Sequence, residues 1–183
     1  GKIVLSYSGC DSGVMHYRSN DPDYGNGSLD LVRLSRIDGL DCQAPDAAAD
    51  PPVGEFGVFP ALSGAWYDPA HEGDGWLLEI LPDKQALLAW FSYDPQGAQA
   101  WFLNVGTVQD DTITFDLSIP SGTDFGPTFD PDDVDHPPWG RAVFRFDGCN
   151  SGSMSYESPR EGYGSGELEM IRLTQLWGLE CSP

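Results

Sequence analysis

The sequence predicts an all-β protein, an antiparallel meander that closes into an eight-stranded up-and-down barrel, with a β-sandwich or propeller-like sheets as the alternative. Three observations carry this. Apolar and polar residues alternate with period two in short runs, as in Thr112–Ser118 and Arg141–Phe146. Turn residues recur at roughly 8–12-residue intervals, the spacing of sandwiches and barrels. No segment carries the 3.6-residue apolar period of an amphipathic helix.

In order, the strands are expected at Gly64–Tyr67, Trp76–Leu81, Ala86–Tyr93, Gln99–Thr107, Thr112–Ser118, Arg141–Phe146, Gly152–Glu157 and Gly166–Thr174. The turns between them carry suitable residues: Pro82-Asp83, Asp94-Pro95-Gln96-Gly97, Asp110-Asp111 and Gly148-Cys149-Asn150-Ser151-Gly152. Connections this short suit a meander. The exception is Ile119–Trp139, 21 residues rich in Pro, Asp and Gly. A connection of that length is expected to be functional or to pack as a small lid.

The chain also repeats itself. Residues 1–42 align with 140–181 without a gap, at a constant offset of 139, and 18 of the 42 positions are identical. Since 139 + 44 = 183, the chain holds one repeat and the tail of another. Residues 62–181 are therefore expected to be a complete β module, 43–61 a Pro/Ala/Asp linker, and 1–42 the last three strands of a preceding module. The front of that module could come from a longer natural chain or a neighbouring molecule. The three strands could equally pack on their own chain, or form a self-contained duplicated motif. A chain that opens on Gly1 in place of Met is expected to be a processed product or a fragment.

Nine Lys and Arg against 29 Asp and Glu leave a formal charge of −20. That argues against nucleic acid, whose binding rests on cationic side chains releasing counterions. It also disfavours anionic membrane surfaces, and no apolar run approaches the length of a membrane-spanning helix.

The four cysteines fall into two pairs of equal separation, 42 − 10 = 32 and 181 − 149 = 32. The repeat predicts Cys10–Cys42 and Cys149–Cys181 disulfides, each tying the turn before one strand to the segment after the next. Such bonds persist in oxidising compartments, so an exported protein is expected. A zinc site is disfavoured, with no Cys-x-x-Cys pair or His at ligand spacing.

Other chemistry is sparse. Asp130, Asp132, Asp133 and Asp135 place four carboxylates on the long connection, a candidate calcium site; calcium is the one candidate cofactor. Asp21–Gly27 has a calcium-loop flavour, but its repeat partner replaces Asp21 with Arg160 and Asp23 with Gly162. The retained Tyr-Gly-x-Gly points to a turn needing positive φ. His71-Glu72-Gly73-Asp74 reads as an exposed turn, and His16 aligns with Ser155. No Gly-x-Ser-x-Gly elbow or phosphate loop is present, so no enzyme is expected and no catalytic residue is named. The aromatics cluster on the first four strands, and adjacent pairs such as Trp90-Phe91 and Trp101-Phe102 must face opposite ways. Trp76, Trp90, Tyr93 and Trp101 are the candidate interface or ligand residues.

Gly64-Ala65-Trp66 on the opening strand and Arg172 on the last resemble the calycin pattern of lipocalins and avidins. That resemblance implies a barrel in which the late Arg packs across the indole, with Gly64, Trp66 and Arg172 structural and Arg33 the repeated counterpart. The wider set Ser63–Pro69, Gly73–Trp76, Trp90–Pro95 and Arg172–Thr174 is similar to a module of unassigned activity. That module occurs in tandem, or at C-termini, in secreted proteins of proteobacteria. The resemblance implies a secreted bacterial location and a β architecture. The expected function is a structural or adhesive extracellular module assembling end to end, in filaments formed by strand sharing or aromatic interfaces. Its partners would be other copies of itself or adjacent repeats. The alternative is a carbohydrate- or small-ligand-binding module, with a glycan as partner.

Overall fold

The computed structural model describes residues 1–40, 42 and 57–181. Strands β1 (Lys2–Tyr7), β2 (Ser12–Arg18) and β3 (Asn26–Val32) form a three-stranded antiparallel sheet in that order. Strands β4 (Gly64–Tyr67), β5 (Gly75–Leu81), β6 (Gln85–Tyr93), β7 (Gln99–Gln109), β8 (Thr112–Ser118), β9 (Pro138–Phe146), β10 (Ser151–Ser158) and β11 (Gly164–Arg172) form a closed barrel. Each barrel strand pairs with the next, and β11 returns to β4.

That last seam decides barrel over sandwich. Ile171 pairs with Tyr67 and Arg172 with Trp66. The Leu173 N–H donates to the Ala65 carbonyl at 2.8 Å, and the Ala65 N–H donates to Thr174 Oγ1 at 2.9 Å. Gly64 makes the approach feasible: at φ +144° a Cβ there would lie 2.5 Å from the Thr174 carbonyl oxygen. Closure removes the exposed sheet edges that invite aggregation.

Most strand boundaries fall within one residue of expectation. β7 runs on to Gln109, β9 begins earlier at Pro138, and β11 starts two residues early, at Gly164, and stops at Arg172. Pro138 is tolerated because it opens its strand, facing a register shift at Leu117/Ser118 where no ladder donor is needed. Of the expected linker, residues 43–56 lie outside the described residues. Pro60–Leu62 form a 3-10 turn, and Val58 and Phe59 already pack against the barrel core.

The chain divides into two compact units. One comprises 37–120 and 136–183, as far as they are described, and contains the barrel. Its interior is filled by side chains, as small eight-stranded barrels are. Trp66, Trp76, Trp90 and Phe102 are successive register partners across β4–β7, and all are buried. Trp139 of β9 meets Trp90 edge-on at 5.3 Å and Phe102 at 4.5 Å. Phe115, Phe144, Met154 and Met170 complete the packing. Edge-to-face contacts such as Trp66–Phe146 and Trp90–Trp139 align the positive ring edge with the negative face, and tilted pairs fill the rest.

The other unit comprises residues 1–36 and 121–135. Within it Phe125 packs edge-on against Tyr17 at 5.5 Å and Tyr24 at 5.4 Å. Ser121 and Asp135 pair across the ends of the 121–135 segment, which contains 3-10 turns at Gly126–Thr128 and Pro131–Asp133.

The Tyr-Gly-x-Gly motif does two things in both sheets. Its first glycine takes the positive φ of a turn, +59° at Gly25 and +65° at Gly164. Its second sits beneath a cross-strand tyrosine: a Cβ at Gly27 or Gly166 would lie 2.5 Å or 2.7 Å from the Tyr17 or Tyr156 hydroxyl. Covering a strand glycine with a neighbouring ring is a known stabilising device.

Cys149 and Cys181 are joined, with Cα atoms 5.7 Å apart. Cys10 and Cys42 are disulfide-bonded as well and no free cysteine is left, which pairs them with each other. Among the described residues no helix is long and apolar enough to cross a membrane.

Candidate functional site

The alternation that sends Trp76, Trp90 and Phe102 inward sends their neighbours outward. Phe91 and Trp101 are direct register partners on the outer face of β6 and β7, each 46% exposed. Their row continues across the sheet through Gly75 and Tyr67 to Ile171. The next outward row is Leu77, Ala89 and Leu103, and beyond it Leu87 faces Val105. Tyr93, Leu77 and Val105 are also exposed. The result is a contiguous apolar strip over β4–β7, two of whose rings, Phe91 and Trp101, face each other across strands. Soluble proteins seldom leave a patch of this kind uncovered unless it meets a partner.

Of the four aromatics expected at an interface, Tyr93 and Trp101 lie on this outer face. Trp76 and Trp90 lie inside the barrel, 1% and 4% exposed, and are out of reach of a partner. Strand parity is the reason: Trp76 pairs with Trp66 and Trp90 with Trp76, so both share the row of Trp66, whose indole N–H donates to the Leu62 carbonyl within the core. Phe91 takes their place on the surface.

Arg172 lies over the Trp66 ring, its guanidinium carbon 5.2 Å from the centroid. It donates to the carbonyls of Ala61 and Ser63. Burial lowers the pKa of this guanidinium from its ordinary value. Arg33 is exposed and its side chain has no hydrogen-bond partner among the described residues.

The turn expected to be exposed at His71–Asp74 is so at His71, Glu72 and Gly73, and it is flanked by two organised carboxylates, Asp68 before it and Asp74 at its end. Asp68 is buried, accepts from the Ala70 N–H at 2.8 Å and contacts His71 Nδ1 at 2.8 Å. Burial works to raise its pKa, but these partners outweigh it and hold the carboxyl below the ordinary range. Asp74 accepts from the Trp90 indole N–H at 2.6 Å and the Ser92 hydroxyl at 2.9 Å. There burial wins and the pKa is raised, with the Trp90 and Ser92 bonds and the nearby His71 opposing it. Asp74 thus ties the first hairpin to the core tryptophan. Nothing local in the sequence distinguished it from the other acids.

Asp130, Asp132, Asp133 and Asp135 are exposed, and Asp130 accepts the Asp132 N–H at the start of a 3-10 turn. Among the described residues, no three His, Cys, Asp or Glu side chains converge as metal ligands. An open cleft of about 1030 Å³ is lined by Asn104, Asp116, His136, Trp139, Arg141 and Glu157, among others. Arg141 and Asp116 approach within 3.4 Å there, and the buried Trp139 indole N–H has no partner. No protein-family model, curated protein or solved structure matches this chain.

Proposed function

We propose that the protein is a structural or adhesive module of a secreted bacterial array, joining copies of itself or adjacent repeats end to end. The observation that carries this is the outward Phe91–Trp101 pair at the centre of an apolar strip. Burying such rings against a partner releases water and supplies most of the energy of a typical interface. The two disulfides suit an oxidising exterior. The charge of −20 keeps the remaining surface solvated and gives the strip its contrast. Sedimentation over a wide concentration range tests the reading. The wild type is expected to associate and Trp101→Ser to be monomeric; a wild type that stays monomeric throughout overturns it.

A second reading, a carbohydrate-binding module, is favoured by the open cleft beside Trp139, lined by the polar side chains of Asn104, Asp116, Arg141 and Glu157, which could meet sugar hydroxyls. It predicts saturable changes in tryptophan fluorescence with neutral oligosaccharides. A flat titration across a glycan panel removes it.

A further inference from the structure

The sheet β1–β3 has the same register as β9–β11, offset by 139 throughout. Tyr7 pairs with Gly13 as Phe146 pairs with Gly152. Ser12 pairs with Val32 as Ser151 pairs with Ile171. Three rows therefore correspond one to one. Tyr7–Gly13–Leu31 matches Phe146–Gly152–Met170, Leu5–Met15–Leu29 matches Phe144–Met154–Leu168, and Ile3–Tyr17–Gly27 matches Ala142–Tyr156–Gly166.

In the barrel these rows face inward. Ala142, Phe144 and Phe146 are at most 4% exposed, covered by Trp66, Trp76 and Phe115. On β1 the matching Ile3, Leu5 and Tyr7 are 63%, 49% and 73% exposed. Phe125 covers Tyr17 and Tyr24 at one end of this face, but the β1 residues that match the barrel's core positions stay exposed. Its outer strands β1 and β3 have no further neighbour among the described residues, whereas β9 pairs with β8 and β11 with β4. Arg33, the counterpart of Arg172, lacks the carbonyls and indole that hold Arg172.

We infer that β1–β3 is the docking site for a five-stranded segment of the β4–β8 kind lying outside residues 1–183, which completes a second eight-stranded barrel. The inference rests on the array reading above and names the partner that one end of the module takes. Its occupant follows from the correspondence: a β8-like strand pairs with β1, a β4-like strand with β3, and their inward aromatics cover Leu5 and Tyr7. A Gly-x-Trp strand places its indole under Arg33. Copies of this chain cannot satisfy the face by exchange. Each copy brings one five-stranded set and two three-stranded sets, so one three-stranded face per chain stays open in any assembly of copies.

Gly1 corresponds to Gly140, so residues 57–139 fused directly before Gly1 of the intact chain reproduce the barrel's own chain order. Amide hydrogen exchange in β1–β3 is expected to slow by at least about 100-fold relative to the unfused chain, towards that of β9–β11. Leu5→Glu in the fusion, on the inward face, is expected to abolish this; Val4→Glu, on the outward face, is expected to leave it. Unchanged exchange in β1–β3, or equal effects of the two variants, overturns the inference. So does an unfused chain that dimerises through this face, with Leu5→Glu dispersing it, because the occupant is then a second copy. Failure of the Phe91–Trp101 reading is separately visible, since Trp101→Ser changes association without altering exchange in β1–β3.

Discussion

Phe125 meets Tyr24 edge to face, ring centroids 5.4 Å apart and planes at 76°. Trp139 meets Tyr163, the residue aligned with Tyr24, at 5.5 Å and 86°. The parallel extends to the second tyrosine, with Phe125 at 5.5 Å from Tyr17 and Trp139 at 6.0 Å from Tyr156. A ring from the long connection therefore covers, on the open sheet, the two tyrosines that a core tryptophan covers in the barrel.

Phe125→Ala is expected to release the 121–135 segment from this sheet. An aromatic pair contributes about 0.5–1.5 kcal/mol beyond its buried area. Amide exchange should quicken across 121–135 and in β2, with β4–β8 unchanged. Exchange that stays slow in 121–135 would mean that the Ser121–Asp135 pairing alone holds the segment.

Arg172→Met should cost about 2–3 kcal/mol in urea unfolding, since it leaves the Ala61 and Ser63 carbonyls without their charged donor and removes a cation from the Trp66 face. Arg33→Met, at an exposed site, should stay within about 0.5 kcal/mol in the isolated chain. Equal costs at the two positions would show that Arg33 has a partner in solution.

Replacing Cys149 and Cys181 together by Ser opens a 32-residue separation. The chain-entropy estimate for a loop of that size is about 3–4 kcal/mol. A melting temperature that falls under reducing conditions in the wild type, and is insensitive to reductant at this site in the double variant, is the expected pattern.

The two hairpin carboxylates should act on stability with opposite sign. Asp68 has a lowered pKa, so its contribution is present above the ordinary carboxylate value of 3.8 and is lost as pH falls through its folded pKa. Asp74 has a raised pKa, so the folded state prefers it protonated and stability declines as pH rises from 3.8 through its folded pKa. Asp68→Asn should therefore flatten the acid limb of a stability–pH profile, while Asp74→Asn should remove a loss on the rising side. The same change in both variants would mean that neither carboxylate titrates independently of the other.

Much of the architecture was legible because it is local. Thr112–Ser118 alternates so cleanly that only a half-buried strand fits, and the Asp- and Pro-bearing turns mark where each strand must stop. The equal cysteine separations follow directly from the repeated sequence. The surface was less legible. Trp90-Phe91 and Trp101-Phe102 announce that one ring of each pair faces out, but a strand carries no local mark of which face is inside. Asp74 was hidden for a related reason: its partners, Trp90 and Ser92, lie on another strand.

By itself, then, the sequence determined the strand set, the antiparallel meander and the cysteine pairing, all consequences of period-two alternation, turn chemistry and an internal copy. Tertiary structure decided the rest. The β11–β4 seam, held at Gly64, chose a barrel, because closure depends on a pairing between strands more than a hundred residues apart. That closure set the parity of every ring, placing Trp76 and Trp90 in the core and Phe91 and Trp101 on the surface. It also separated two sheets of like sequence: β9–β11 found five strands to complete a core, while β1–β3, with the same register, kept its apolar face open.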